Sequence, residues 1–130
     1  MRVRLFAVAM LAAAAPVVAA AQQDRASDGK TTFETVCVVC HSVTPPPKLA
    51  PPMMMVSRHY RFAFATEREA SDAMLRYVLA PDSLRSAMPS HVIQRFGVMP
   101  KPPVNDAQAR AAVRYVLSLS APPPVPGMTK

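Results

Sequence analysis

Tryptophan is absent from this 130-residue chain, glycine occurs three times and cysteine only twice. The length suits a single domain, but without tryptophan its core has little bulk to close on. Domains this small bury a modest fraction of their surface, so a bound apolar group would supply much of the missing core. With one cysteine pair and no second, a zinc site of two pairs is excluded. The 15 lysines and arginines, set against 8 acids, are scattered and not clustered, which excludes a nucleic-acid footprint. Beyond the first 21 residues no run is long and apolar enough to cross a bilayer, and no internal repeat is visible. Nor does any pattern mark a nucleophile or a substrate pocket, so the chain reads as a non-enzyme.

What is present begins with a leader. Met1-Arg2-Val3-Arg4 gives a positive start, Leu5 to Val18 is an uncharged apolar run, and Ala19-Ala20-Ala21 offers the small residues a signal peptidase needs. Residues 1–21 therefore read as a cleaved signal peptide and the protein as exported to the periplasm. An uncleaved anchor is the competing reading, for which the run is rather short. Losing Arg2 and Arg4 lowers the formal charge from +7 to +5. That bias suits an acidic docking partner or an anionic membrane surface.

Export favours disulfides, yet the two cysteines stand together in Val36-Cys37-Val38-Val39-Cys40-His41. Cys-x-x-Cys-His is the signature of covalent haem attachment. Two thiols three residues apart share one helical face, where each can add across a haem vinyl group to form a thioether. His41 then falls beneath the porphyrin plane as the proximal iron ligand. A thioredoxin-like pair would need a βαβ context, and no β-rich pattern flanks the motif. A disulfide across two residues is strained and leaves His41 unexplained. The motif therefore implies one haem c, with its iron, per chain.

Three amphipathic helices can be read. The first runs from Asp28 to Cys40, with Ser27 as N-cap and Phe33, Val36, Cys37 and Cys40 at i, i+3, i+4, i+7. The second opens on Thr66-Glu67-Arg68-Glu69, a capping-box pattern. It buries Ala70, Ala73, Met74, Tyr77 and Val78 and stops at Pro81. The third is capped by Asn105 and buries Ala109, Ala112, Val113, Val116 and Leu117. Between them lie proline-rich loops, Thr44 to Met55 and Met99 to Val104, which proline stiffens by restricting the unfolded chain. The segment 121–130 reads as a disordered proline-rich tail.

With Gly29 and Phe33 ahead of the haem motif, Tyr115 on the last helix and Phe96-Gly97-Val98-Met99-Pro100 before it, the chain resembles the mono-haem class I cytochrome c family over roughly residues 27–119. The resemblance implies a small all-α cytochrome c fold, with three main helices around one covalent haem and proline-rich loops, in a domain spanning 22–120. It puts Phe33 and Tyr115 at the crossing of the first and last helices and counts both, with Pro51, among the cofactor-binding residues. It also implies that a backbone carbonyl near Pro51 holds the second ring nitrogen of His41. The chain departs from the family in two places. The loop after His41 is rich in proline where the family commonly has glycine, and Met53 to Phe64 has no clear counterpart.

For the sixth iron position Met99 is the choice, on a loop braced by Pro100 and Pro102 that leads into the last helix. Met88, in a second Met-Pro step, is its rival, and Met53, Met54 and Met55 are more distant ones. His59 or His91 would give bis-histidine ligation, and a copper site of Met53–Met55 with His59 is chemically possible. The leading function is periplasmic electron transfer to a redox partner protein of acidic surface, with Lys48, Arg95 and Lys101 near the haem loops. The alternatives are a sensor or peroxidase-like haem with an open sixth site, and a cytochrome subunit of a membrane oxidase or dehydrogenase. Contact with a membrane is expected only through a partner or an uncleaved leader.

Overall fold

A computed structural model describes residues 28–120, so the signal at 1–21, the Ser27 cap and the tail at 121–130 lie outside the described residues. The described residues are all helical, with no strand among them. Helix α1 covers 28–37, and its last turn, Phe33–Cys37, widens to π geometry. It is followed by α2 (Met53–Ala63), α3 (Glu67–Leu79), α4 (Ser90–Phe96) and α5 (Asp106–Ser118). None is long and apolar enough to cross a membrane.

Local chemistry starts α3 and α5 as the sequence suggests. Glu69 N–H donates to Thr66 Oγ1 at 3.2 Å, and Thr66 N–H donates back to Glu69 Oε2 at 3.0 Å. Gln108 and Asn105 repeat the exchange at 2.9 and 3.0 Å. Each cap contributes on the order of 1 kcal/mol by satisfying donors that the helix start leaves free.

The three main helices are joined by two more. The loop read as running to Met55 ends instead at Pro52, and Met53 opens α2. No side chain caps this helix: its first N–H groups donate to carbonyls of the returning loop, Met53 to Ser42 at 2.8 Å and Met54 to Val43 at 2.9 Å. That cap comes from eleven residues upstream, which is why the local sequence reads as loop. Helix α4 likewise has no side-chain cap and ends at Gly97, whose φ of 76° is open to glycine and strained for other residues.

α2, α3 and α5 pack pairwise to form the core. Ser57 Oγ–H and Arg61 Nε–H both donate to the Leu117 carbonyl, at 3.2 and 2.9 Å, pinning α2 to the end of α5. α1 crosses α5 at Gly29, where any Cβ would run into the Ala111 carbonyl and stand 3.0 Å from Tyr115 Cβ. One turn later Phe33 is wholly buried, its ring centroid 5.5 Å from that of Tyr115. This close crossing fixes the end of α1, and with it the residues that follow.

Candidate functional site

The haem motif sits where α1 ends. Cys37 closes the π turn, residues 38–40 form a turn, and the N–H of His41 donates to the Cys37 carbonyl at 3.0 Å. Cys37, Cys40 and His41 thereby line one cavity of about 600 Å³, walled by all five helices and the loops between them. Both thiols are free and partly buried. Burial pushes the Cys37 thiol above its ordinary value, so it is held neutral.

His41 is buried, and its Nδ1 lies 2.8 Å from the Pro51 carbonyl oxygen. A carbonyl can only accept, so Nδ1 carries the proton and Nε2 presents a lone pair. Nε2 is buried with no hydrogen-bond partner. Burial holds the imidazole below its usual pKa, and the hydrogen bond to Pro51 opposes that shift. A buried ring nitrogen with a fixed lone pair and no partner is the arrangement a metal ligand needs. Among the described residues no cluster of three His, Cys, Asp or Glu side chains could hold a bare metal ion. The donor set here, two thiols and one imidazole on an apolar wall, instead suits a planar iron porphyrin attached through its edge.

The remaining candidates divide clearly. Met99 and Met88 both line the cavity. Met88 packs against the buried core and its N–H donates to Ser86 Oγ at 3.2 Å, whereas Met99 is not part of that core packing. The Met99 N–H donates to the Tyr77 hydroxyl at 3.3 Å, tying the methionine loop to α3. Met53 lines the cavity and is buried, while Met54 and Met55 do not line it, so the three methionines fan around α2 and do not converge on one ion. His59 and His91 lie outside the cavity; His59 Nε2 is 2.6 Å from the Ala87 carbonyl and His91 is exposed on α4. Phe33 and Pro51 line the cavity. Tyr115, expected among the cofactor-binding residues, does not: Ala112, Val113 and Val116 turn inward, which rotates Tyr115 towards α1 and Phe33.

Sequence reasoning missed part of the wall. Tyr60 is 2% exposed, and burial pushes its hydroxyl above the usual range, with a backbone hydrogen bond from Ala87 opposing and Tyr77 reinforcing. Val92, Ile93 and Phe96 close the cavity from α4. Their i, i+1, i+4 spacing ahead of Gly97 is a helix signal that could have found them. Around the mouth, Val39, Leu49 and Val98 line the cavity while standing exposed. Lys101 joins that lining, Lys48 Nζ donates to the Val38 carbonyl at 2.8 Å, and the Arg95 guanidinium lies 5.0 Å from the centre of the Phe96 ring.

An all-helical domain whose apolar cavity carries two thiols and a tautomer-fixed histidine on one wall defines a haem-holding protein. The cytochrome c family model matches residues 26–120, and the chain belongs to the cytochrome c family. No individual curated protein and no solved structure matches. Membership carries covalently bound haem c with its iron, one per domain of this size, and electron transfer as the family's general work.

Proposed function

We propose that the protein is an exported, periplasmic electron carrier in which His41 and Met99 are the axial ligands of a single haem c. The observation that carries this reading is the fixed lone pair of His41 Nε2, aimed into a cavity that Met99 also lines. Haem c, when bound, supplies an iron that gains and loses one electron. The chain's own residues do the rest. Cys37 and Cys40 hold the group by thioether bonds, and Pro51 keeps the His41 proton on Nδ1. The apolar wall excludes water, and a thioether ligand from Met99 favours the reduced iron relative to a second histidine.

The partner we propose is a redox protein of acidic surface, met through the cavity mouth. There the exposed Val39, Leu49 and Val98 offer a small apolar contact, and Lys48, Arg95 and Lys101 supply charge that raises the on-rate. Small, weakly held interfaces of this kind suit rapid turnover of partners.

The test is a visible spectrum of the matured protein, oxidised and reduced, with and without carbon monoxide. A low-spin spectrum with the far-red sulfur-to-iron band and no carbon monoxide response is expected. Met99→Ala should keep the haem attached, lose that band and admit carbon monoxide, while Met88→Ala should change neither. A high-spin wild-type spectrum would transfer the lead to the open-site sensor or peroxidase reading.

A further inference from the structure

Six large hydrophobic side chains stand exposed among the described residues, and they fall into two groups. Val39, Leu49 and Val98 belong to the cavity mouth. Met55, Phe62 and Leu84 do not line the cavity, and the latter two are 91% and 92% exposed. On α2, Met55, Arg58 and Phe62 follow i, i+3, i+7, a stripe on the side opposite the buried Met53, Val56 and Tyr60. A helix face turned to water ordinarily carries polar residues.

Leu84 is held out on an ordered turn. Its N–H donates to Asp82 Oδ1 at 2.8 Å, the Arg85 N–H donates to the Asp82 carbonyl at 3.1 Å, and Arg85 Nη1 donates to the Ala80 carbonyl at 3.3 Å. The same segment is tied to α2, since His59 Nε2–H donates to the Ala87 carbonyl. Between the turn and α3 lies a recess of about 390 Å³ lined by Phe64, Arg76, Leu84 and Arg85. Arg58, Arg76 and Arg85 lie within ion-pair distance of no acid among the described residues, where the two ion pairs are Lys30–Glu34 and Arg61–Glu67. Asp82 spends its carboxylate oxygen on the turn, and Asp72 stands one helical turn before Arg76 without pairing to it.

We propose that the outer face of α2 and the Asp82–Arg85 turn dock directly on an anionic phospholipid bilayer. Phe62 and Leu84 enter the headgroup–acyl boundary, and the recess between Arg76 and Arg85 receives a lipid phosphate. Charge complementarity favours an anionic surface, and apolar tips left 91% and 92% exposed favour a bilayer. A lipid surface accepts isolated aromatic and aliphatic tips without a preformed socket, while flanking arginines remain at the phosphates. Ser86 borders both the recess and the haem cavity, so docking sets the haem domain beside the membrane. The surface shares no residue with the lip of Val39, Leu49 and Val98. This contact is direct, and it requires neither a partner nor a retained leader. It is also independent of which residue is the sixth ligand.

The chain contains no tryptophan, so Leu84→Trp introduces a single reporter that works whatever the state of the leader. On matured holoprotein, its emission should shift to the blue on phosphatidylcholine–phosphatidylglycerol vesicles and stay unchanged on pure phosphatidylcholine. In sedimentation with the mixed vesicles, Phe62→Ser with Leu84→Ser should weaken binding about tenfold. Arg76→Gln with Arg85→Gln should weaken it about thirtyfold. All four positions are exposed, so these variants keep the fold and the haem. An absent emission shift overturns the proposal, as does an equal loss of binding in Lys48→Gln with Lys101→Gln. A shift on soluble polyglutamate but not on vesicles overturns it in favour of an acidic protein.

Discussion

Two loops reach the haem cavity, one carrying His41 and the other Met99, and they are held in opposite ways. Residues 41–52 are laced to their surroundings: His41 to Pro51, Ser42 Oγ–H to the Pro46 carbonyl at 2.9 Å, Lys48 to Val38, and the Ala50 N–H to Cys40 at 3.1 Å. The near end of that loop, through the Ser42 and Val43 carbonyls, then caps α2. Residues 98–104 make two hydrogen bonds among the described residues before the Asn105 cap, Met99 N–H to Tyr77 and Val104 N–H to the Pro102 carbonyl at 2.9 Å. Their order comes instead from Pro100, Pro102 and Pro103, which limit the freedom of the unfolded chain without adding contacts. A segment held by many bonds resists local opening, and one held by few is the first to yield. The histidine side is therefore the fixed wall of the site, and the methionine side is the wall that can give way.

The largest effects should come from breaking the fixed wall. Cys37→Ala with Cys40→Ala is expected to abolish covalent haem entirely, read as loss of the haem stain from the denatured band. A band that still stains would mean attachment at other residues and would remove the basis of the site. Next comes the crossing that positions this wall. Gly29→Ala drives a methyl into the Ala111 carbonyl and forces α1 from α5, at a cost of about 3 kcal/mol. Denaturant titration of the holoprotein would measure it. A cost near zero would mean that α1 is free to shift, and that His41 is not set by the helix crossing.

Legibility in the sequence followed the same division. Features that act over three or four residues were readable: the Thr66 capping box, the Asn105 cap, the stripes of α3 and α5, and the Cys-x-x-Cys-His motif itself. α2 escaped because its cap is made by Ser42 and Val43 across a folded-back loop, and because a methionine run after prolines shows no helical start. α4 escaped because its one signal, Val92, Ile93 and Phe96 ahead of Gly97, lies in a helix of seven residues with no side-chain cap to mark the start. Tyr77 was visible as a core position, but nothing local says that its hydroxyl would meet a backbone N–H 22 residues away. Met99 and Met88 both stand in Met-Pro steps; Met99 read as the better placed for its proline-braced path into the last helix, and the structure distinguishes the two by packing, Met88 against the core and Met99 outside it.

The smallest effect tests the yielding wall. Tyr77→Phe keeps the ring in the cavity and removes only the oxygen that accepts the Met99 N–H. Losing one partly buried hydrogen bond costs about 1 kcal/mol. If that bond helps to hold the methionine loop closed, the open fraction should rise by about fivefold. Cyanide affinity of the ferric protein reads that fraction, because an added ligand can enter only where the sixth position is vacated. An increase of that size with haem content unchanged is the expected outcome. Ser42→Ala, which removes one tie from the opposite loop, should leave cyanide affinity as it was, because several other bonds there remain. Equal responses from the two variants would show that both walls yield alike, and the asymmetry between them would not survive.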